Sequence, residues 1–208
     1  FALEKPGYIY SRLMNPTVGQ LQDRLASLEG GVGAVATGSG MAALDLTTFL
    51  LASAGDNIVA ASALYGGTHT YLNHTATRRG ISTRFVDTLD VNQYREAIDE
   101  DTAFVLIETI GNPALVTPDI EAIADVAHEN DTPLLVDNTF ATPALSRPLE
   151  HGADLVWHST TKWIHGAGST IGGAIVDGGS FPWAEYPEKY PELAGENPAY
   201  HGVNFAER

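Results

Sequence analysis

One lysine, Lys162, stands between an apolar run and a glycine-rich segment. The apolar run is Leu155-Val156-Trp157, hydroxyl side chains follow it, and the glycine-rich stretch begins at Gly166. The other two lysines, Lys5 and Lys189, lie among prolines and acidic residues, where a solvated ammonium group is expected. We expect the apolar neighbours of Lys162 to exclude part of its water, which makes an amine a nucleophile able to form a Schiff base with an aldehyde. The alternative is a structural lysine that caps a loop.

A second group of residues has the chemistry of a phosphate site. Ser39-Gly40-Met41 is predicted to open a helix, where free backbone N–H groups attract an anion and glycine permits its close approach. Ser159 and Thr161 are two positions apart, so their hydroxyl groups face the same side of an extended segment. The alternative for Ser39 is an ordinary helix N-cap, with the glycines serving the turn.

Two further residues suit a pyridine ring. Asp137 directly follows the apolar run Leu134-Leu135-Val136, and a buried carboxylate requires a cation or several hydrogen-bond donors. A pyridinium N–H is such a partner, whereas a metal is disfavoured because the seven histidines show no ligand spacing. Tyr65 can stack on the ring and carries a phenol that can act in catalysis. The alternatives are an aspartate that caps a turn and a tyrosine that only packs.

Four polar side chains complete the candidate site. Asn112 can hydrogen-bond a ring oxygen, and Glu108, at the end of a predicted strand, can orient a neighbour. Tyr10 and Arg12 are two positions apart and can grip a phosphate together. They belong to an N-terminal arm, residues 1–15, which shows no apolar pattern of its own and is therefore expected to serve another subunit. Together with the lysine, these groups are what a phosphorylated pyridine aldehyde, pyridoxal 5'-phosphate, requires.

The segments that must position these residues alternate between strands and helices. Apolar runs predict strands at residues 34–36, 58–61, 83–86, 103–107, 133–136, 155–157 and 171–176. Helices are predicted at residues 16–29, 41–52, 68–79, 91–98, 118–130 and 143–150. This alternation is typical of βαβ units and a mostly parallel sheet, whose ligands bind at the carboxyl ends of the strands. The last strand follows its predecessor too closely for a helical crossover, so we expect it to be antiparallel.

The first predicted helix has clear end signals. Asn15 is predicted as its N-cap, a proline takes the next position, and Gly30 ends it. Leu21, Leu25 and Leu28 recur at the helical period and are predicted to form the buried face. Thr117-Pro118 is predicted to cap the helix that ends near residue 130.

The composition narrows the range of partners. The 208 residues, 44% of them hydrophobic, can bury the core of one large domain. The net charge of -15 argues against nucleic acid or an anionic membrane surface as a partner. No run is long and apolar enough to span a bilayer, and the lack of cysteine makes a reducing cytoplasm the default expectation. Scarce lysine and abundant acid indicate either adaptation to high salt, as in an acidic proteome, or simply a solvated acidic surface.

Six motifs, taken together, resemble the Cys/Met-metabolism enzymes that depend on pyridoxal phosphate and have the aspartate-aminotransferase (type I) fold. They are Tyr10-Ser11-Arg12, Ser39-Gly40-Met41-Ala42-Ala43, Tyr65-Gly66, Glu108 with Asn112-Pro113, Val136-Asp137-Asn138-Thr139 and Ser159-Thr160-Thr161-Lys162. They stand in family order and at family spacing over essentially the whole chain. The resemblance implies an α/β three-layer sandwich with a mostly parallel sheet, the large cofactor-binding domain, at residues 16–208. Residues 180–208, which show little periodicity, are predicted as a loop-rich extension.

The resemblance also implies a role for each motif. It implies Lys162 as the Schiff-base lysine, Asp137 as the partner of the pyridine nitrogen and Tyr65 as the stacking tyrosine. The implied phosphate shell of one subunit consists of Gly40, Met41, Ser159 and Thr161. Tyr10 and Arg12 are implied to reach in from the neighbouring subunit, which makes an obligate dimer, usually within a tetramer.

Within the family, two segments look most like O-acetylhomoserine sulfhydrylases: the one that follows Lys162 and the late Tyr200-His201-Gly202. Methionine γ-lyases often carry a cysteine where this chain has Gly67. The usual Gly-Gly-His-Gly is replaced by His165-Gly166-Ala167-Gly168, so this histidine has no assigned role. The implied reaction is γ-replacement on O-acetyl-L-homoserine by sulfide or a small thiol, giving homocysteine or methionine plus acetate. Cystathionine γ-synthase, cystathionine γ-lyase and methionine γ-lyase chemistry are the alternatives within the family.

Family members are about twice as long as this chain, which is therefore expected to lack the C-terminal substrate domain and its carboxylate-binding arginine.

Two alternative functions come from outside this enzyme family. The first is a dinucleotide-binding module, which requires a Gly-x-Gly-x-x-Gly turn. Gly38-Ser39-Gly40 is followed by Ala43, so that match is partial and leaves the lysine and the aspartate unexplained. A non-catalytic paralogue is the second alternative, and the absence of the cofactor's yellow colour would favour it.

Overall fold

A computed structural model describes residues 7–207 as a seven-stranded sheet with helices on both faces. Residues 1–6, which include Lys5 and part of the predicted arm, and residue 208 lie outside the described residues. The strands are β1 Gly33–Thr37, β2 Asn57–Ala61, β3 Ser82–Val86, β4 Thr102–Glu108, β5 Leu134–Asp137, β6 Leu155–His158 and β7 Gly173–Asp177. The helices are α1 Pro16–Glu29, α2 Gly40–Leu51, α3 Gly66–Thr70, α4 Val91–Ala97, α5 Ile120–His128, α6 Thr142–Leu145 and α7 Pro191–Ala194.

The sheet is mostly parallel, which confirms the predicted fold class. The strand order is β1-β7-β6-β5-β4-β2-β3, and the pairs from β6 to β3 are parallel. The predicted antiparallel strand, β7, lies between β1 and β6 and runs antiparallel to both. Strands β2, β4, β5 and β6 are buried along their whole length, as continuous apolar strands covered on both faces should be.

Helix α1 has the predicted ends but not the predicted buried face. The Asn15 side chain accepts hydrogen bonds from the first turn, and Gly30 ends the helix with φ 82°. Leu21 and Leu28, however, are each 41% exposed, and the residues that face the sheet are Leu25, Ala26 and Glu29. The prediction was wrong because α1 meets the sheet along a narrow stripe, so two leucines of the wider apolar arc stay outside the contact.

Three other helical predictions need correction. Helix α5 is capped by the side chain of Asp119 rather than by Thr117, which lies three residues before the helix begins. The helix predicted at 143–150 is two short turns, α6 and a 3₁₀ turn at Pro148–His151, because Ser146 and Arg147 between them are extended. Residues 66–79 are helical as a whole, but the segment Tyr71–Ala76 is a π-helical turn.

The loop-rich extension, residues 180–207 of the described chain, is tied to the sheet by aromatic side chains. The rings of Phe181, Trp183 and Tyr190 pack against one another with centroids 4.6–5.8 Å apart. The buried Tyr190 hydroxyl donates to the Ala103 carbonyl at 2.9 Å, beside the start of β4. This segment is largely loop with short helical turns, and its aromatic anchors show no periodic pattern in the sequence. No helix among residues 7–207 has the length and apolarity to cross a membrane.

Strand alternation divides the side chains of β6 between the two helical layers. The indole of Trp157 donates to the Gly40 carbonyl at 2.8 Å, at the start of α2. The next side chain, His158, contacts Glu29 at the end of α1. Because successive side chains of a strand point to opposite faces, α1 and α2 cover opposite faces of the sheet.

Candidate functional site

A cavity of about 310 Å³ opens at the carboxyl ends of β4, β5 and β6, beside the start of α2. Its walls include nine of the predicted site residues: Ser39, Gly40, Met41, Tyr65, Asn112, Asp137, Ser159, Thr161 and Lys162. Glu108, Ile110, Thr139, Phe140, Trp157 and Ile171 complete the lining. The fold therefore brings the residues of five separate strand ends into one site.

The start of α2 forms one end of the cavity. Ser39 is its N-cap, and its hydroxyl accepts a hydrogen bond from the Ala42 N–H at 3.0 Å. A Cβ atom on Gly40 would lie 2.7 Å from the Cβ of Ser159, closer than real Cβ contacts come. Glycine is thus required for β6 to approach the helix start, where backbone N–H groups favour an anion.

The two hydroxyl residues that follow β6 differ in their contacts. The Thr161 hydroxyl donates to the Gly172 carbonyl and accepts from the Gly172 N–H, both at 3.1 Å. No described residue hydrogen-bonds the Ser159 hydroxyl, while the Ser159 N–H donates to the Thr139 hydroxyl oxygen at 2.8 Å. Ser159 is therefore the hydroxyl more readily available to a bound anion.

Asp137 and Glu108 place two carboxyl groups in the cavity wall. They are paired residues of the neighbouring strands β5 and β4. Burial raises the pKa of Asp137, against the lowering effect of hydrogen bonds from the Thr139 N–H and hydroxyl. Burial, followed by the nearby charge of Asp137, raises the pKa of Glu108 to about 8. Two adjacent buried acids favour a site that receives a cation.

Glu108 also holds two loops of the site. One of its oxygens accepts the Tyr65 N–H at 2.6 Å, and the other accepts the Asn112 N–H at 3.0 Å. Tyr65, which lines the cavity, is 46% exposed, and a Cβ on Gly67 would lie 2.4 Å from its ring. The expectation that Glu108 orients a neighbour agrees with these contacts, which act on backbone rather than on side chains.

Lys162 lines the cavity from a turn rather than from the strand itself. Its N–H donates to the Ser159 carbonyl at 3.2 Å, and its carbonyl accepts from Gly166 at 2.9 Å. Its side chain is exposed, contrary to the partial burial expected from the sequence. The reason is that the turn carries the lysine beyond the apolar part of β6.

Sequence reasoning gave no role to two residues that shape the site. Thr139 links strands, because its hydroxyl donates to Asp137 Oδ1 at 2.5 Å and accepts from Ser159. Trp157 lies against the start of α2 through the hydrogen bond of its indole. Strand alternation could have identified both residues. Thr139 is two positions after Asp137, and Trp157 pairs with Asp137 on the neighbouring strand, so all three share the cavity side of the sheet.

The described part of the arm lies apart from this cavity. Tyr10 is 60% exposed, Arg12 is exposed, and neither lines the site of its own chain. Their role toward a neighbouring subunit stays a prediction. His165, which has no assigned role, has its Nε2 3.0 Å from the Ser169 hydroxyl.

The family model for Cys/Met metabolism PLP-dependent enzymes matches residues 1–203. A homocysteine synthase of Schizosaccharomyces pombe is 51% identical over 208 residues, which are 100% of this chain and 48% of that protein. O-acetyl-L-homoserine sulfhydrylase 1 of Thermus thermophilus is 50% identical, over 100% of this chain and 49% of that protein. The chain thus spans about half the length of the curated relatives it matches.

Solved structures show the same fold. The structure of a Campylobacter jejuni protein assigned as an O-acetylhomoserine (thiol)-lyase matches with a TM-score of 0.94 and 36% identity, over 100% of this chain and 50% of that chain. That structure carries N'-pyridoxyl-lysine-5'-monophosphate. An O-acetylhomoserine sulfhydrylase of Wolinella succinogenes matches with a TM-score of 0.77 and 40% identity, over 86% of this chain and 53% of that chain.

Proposed function

Because the chain belongs to the Cys/Met-metabolism PLP-dependent enzyme family, we propose that it is the cofactor-binding part of an enzyme that replaces the γ-substituent of O-acetyl-L-homoserine. Sulfide or a small thiol takes the place of acetate, and homocysteine or methionine is the product. The observation that carries the proposal is the meeting of Lys162, Asp137 and the start of α2 in one cavity. Relatives named homocysteine synthase and O-acetyl-L-homoserine sulfhydrylase support the choice of reaction.

The cavity fits the family's cofactor, pyridoxal 5'-phosphate. Space kept by Gly40 beside the first N–H groups of α2 suits the phosphate, with the Ser159 hydroxyl as a further donor. Both described donors to Asp137 reach Oδ1, so Oδ2 can accept the ring N–H. Tyr65 lines the same cavity and suits the ring face, and Asn112 suits a ring oxygen.

Asp137 sets the charge of the site. A buried carboxylate beside the neutral form of Glu108 is stabilised by one positive charge, which a protonated ring nitrogen supplies. When bound, the cofactor draws electrons from the substrate carbon next to the amino group, which makes the proton on that carbon removable. Paired with that nitrogen, Asp137 would favour its protonated form.

Lys162 would hold the cofactor aldehyde until the substrate's amino group replaced it, and its freed amine would then move protons. As a free amine its Nζ takes the proton from Cα of the substrate. A second proton leaves Cβ, acetate departs from Cγ with the electrons of the C–O bond, and the sulfur nucleophile adds to Cγ. Both carbon-bound protons are then returned, with Lys162 as the acid. Tyr65, which also lines the cavity, assists these transfers with its phenol.

We further propose that Tyr10 and Arg12 complete the phosphate site of a neighbouring subunit, so that the whole protein works as a dimer or a tetramer. Their exposure outside the cavity of their own chain supports this assignment. A cytoplasmic location stays a prediction from the composition.

A substrate comparison tests the proposed reaction. Full-length protein loaded with cofactor is assayed with O-acetyl-L-homoserine and with O-succinyl-L-homoserine, each with sulfide or cysteine. We expect the highest kcat/KM for the acetyl ester with sulfide. A preference for the succinyl ester with cysteine would assign cystathionine γ-synthase instead, and ketoacid release without a thiol would assign a lyase.

A further inference from the structure

Behind the cavity wall, on the opposite face of the sheet, lies a second layer of polar side chains. The layer consists of Thr109, Asn138 and His158. Each of them directly follows a residue that lines the cavity at the end of β4, β5 or β6. The Thr109 hydroxyl donates to Asn138 Oδ1 at 2.7 Å. This layer is separate from the cavity but one residue away from its walls along each strand.

Glu29 at the end of α1 joins this layer. Its Oε1 accepts the Asn138 side-chain N–H at 2.9 Å and lies 2.5 Å from His158 Nε2. Asn138 also donates to the Ser146 carbonyl at 2.9 Å. A carboxylate on one helix therefore bonds side chains from the ends of two adjacent strands.

Glu29 and His158 are completely buried. Among the described residues, neither Glu29 Oε2 nor His158 Nδ1 has a hydrogen-bond partner. Such groups cost stability, and well-packed apolar side chains at these positions would be expected to cost less. Helix α1 already packs through Leu25 and Ala26, so attachment of the helix does not by itself require the acid. Buried polar groups that break the packing rules occur mainly where they serve a functional site.

We propose that Glu29, Asn138 and His158 form a positioning cluster that fixes the ends of β5 and β6 against each other for cofactor binding. The inference rests on the proposed function, since it concerns how that site is held. The Asn138 N–H donates to the Trp157 carbonyl at 2.9 Å, so the cluster spans the same strand pair as the cavity wall. Asp137 directly precedes Asn138 and Ser159 directly follows His158. A site loosened by about 1 Å loses much of its function.

The cluster also links two parts of the predicted dimer site. Helix α1 directly follows the arm that carries Tyr10 and Arg12, and Glu29 ends that helix. Glu29 therefore connects the arm's helix to the strand ends that hold Asp137 and Ser159. None of the three cluster residues lines the cavity, so each acts through its neighbours as a positioning residue.

The test uses matched variants of the full-length protein. Glu29→Leu removes both hydrogen bonds, whereas Glu29→Gln keeps an acceptor oxygen for Asn138 and His158. The control is His128→Leu, which breaks another imidazole–carboxylate pair, that of His128 with Asp154, at the opposite end of β6. Two quantities are measured: the Kd for pyridoxal 5'-phosphate, and the hydrogen exchange of the Thr139 and Ser159 amides in cofactor-free protein.

We expect Glu29→Leu to raise the Kd by about tenfold or more and to speed exchange at both amides, because both hydrogen-bond contacts of Glu29 Oε1 are lost. Glu29→Gln should restore most of both properties. His128→Leu should lower the melting temperature and leave the Kd within about twofold of the parent, since it acts away from the cavity.

The proposal would be overturned if Glu29→Leu and His128→Leu raised the Kd for pyridoxal 5'-phosphate equally. It would also be overturned if amide hydrogen exchange in Glu29→Leu were the same as in the parent. If Glu29→Leu does not fold, His158→Phe removes one bond to Glu29 at similar ring volume, and the same two outcomes decide. If the parent protein binds no pyridoxal 5'-phosphate, the proposed function fails, and the exchange measurement alone still decides on the cluster.

Discussion

Glu108 and Asp137 are register partners on β4 and β5, so two carboxyl groups lie side by side in one wall of the cavity. The pKa of each is raised, first by burial. Their different hydrogen bonds separate their roles. Glu108 accepts hydrogen bonds from the backbone N–H groups of Tyr65 and Asn112, which lie in two different loops. Asp137 instead accepts hydrogen bonds from the N–H and the hydroxyl of Thr139. One acid thus holds the loops, whereas the other keeps an oxygen, Oδ2, to which no described residue donates and which we propose for a ligand.

The raised pKa of Glu108 predicts a pH effect on the cofactor-free protein. The pKa of this buried acid rises from 4.5 in the unfolded chain to about 8 in the folded one. Its contribution to the free energy of unfolding is therefore complete below pH 4.5 and is lost as the pH rises from 4.5 to about 8. The loss is at most about 5 kcal/mol. Denaturant unfolding of Glu108→Gln at several pH values should therefore show a shallower decline between pH 5 and 8 than the parent. The exposed Glu150→Gln is the control, and equal slopes for all three proteins would contradict the prediction.

Replacement of Lys162 should abolish the reaction without harming the fold. The side chain is exposed on a turn, so Lys162→Ala is expected to change the unfolding free energy by less than about 1 kcal/mol. Turnover should fall by about a thousandfold or more, because holding the cofactor and moving protons are both lost. Borohydride reduction of the parent followed by peptide mapping should label Lys162, and a label on another residue would refute the assignment.

Gly67 is predicted to matter for the position of Tyr65. A Cβ there would lie 2.4 Å from the ring, whereas a Cβ on Gly66 meets nothing within 4 Å. Gly67→Ala should therefore displace the half-exposed ring and lower kcat/KM several-fold, while Gly66→Ala should not. Either substitution should stabilise helix α3 by up to about 1 kcal/mol, because alanine is a better helix former than glycine. A difference in activity between the two variants therefore cannot come from stability.

Gly40 is predicted to keep the phosphate end of the cavity open. A Cβ there would meet both the Cβ and the Cα of Ser159, at 2.7 and 2.9 Å, and backbone cannot move aside as a flexible side chain can. Gly40→Ala should weaken the binding of pyridoxal 5'-phosphate by about tenfold, as measured by an absorbance titration with the cofactor. Gly38→Ala, where a Cβ has no neighbour within 4 Å, is the matched control. Similar affinities for both variants would show that the cavity does not depend on this contact.

Subunit mixing tests the role of the arm. If Arg12 serves the neighbouring site, Arg12→Ala and Lys162→Ala should each be inactive and should partly restore each other when co-expressed. A two-fold dimer then contains one intact site in each mixed pair, which gives about a quarter of the parent activity. No recovery despite proven mixed dimers would place Arg12 in the site of its own chain or outside any site.

The strand ends were predictable because their signals are local. Asp137 and Lys162 each follow a short apolar run, and parallel strands bring such ends to one edge. The buried role of Glu29 could not be predicted from its own helix. Its partner His158 is 129 positions away, and the leucines around it gave a stronger but misleading periodic signal. The anchoring of Tyr190 to Ala103 was missed for the same reason, since a single long-range hydrogen bond leaves no pattern in the sequence.

The placement of β7 between β1 and β6 has a consequence for synthesis of the chain on the ribosome. The strand that leads into α2 and the strand that leads to Lys162 are joined through β7, which comes later in the sequence than either. Gly173, at the start of β7, lies so close to Ser39 that a Cβ there would come within 2.2 Å of its carbonyl oxygen. The β1-β7-β6 part of the sheet therefore cannot be completed until residue 177 has left the exit tunnel, so we expect this part to be among the last of the sheet to form.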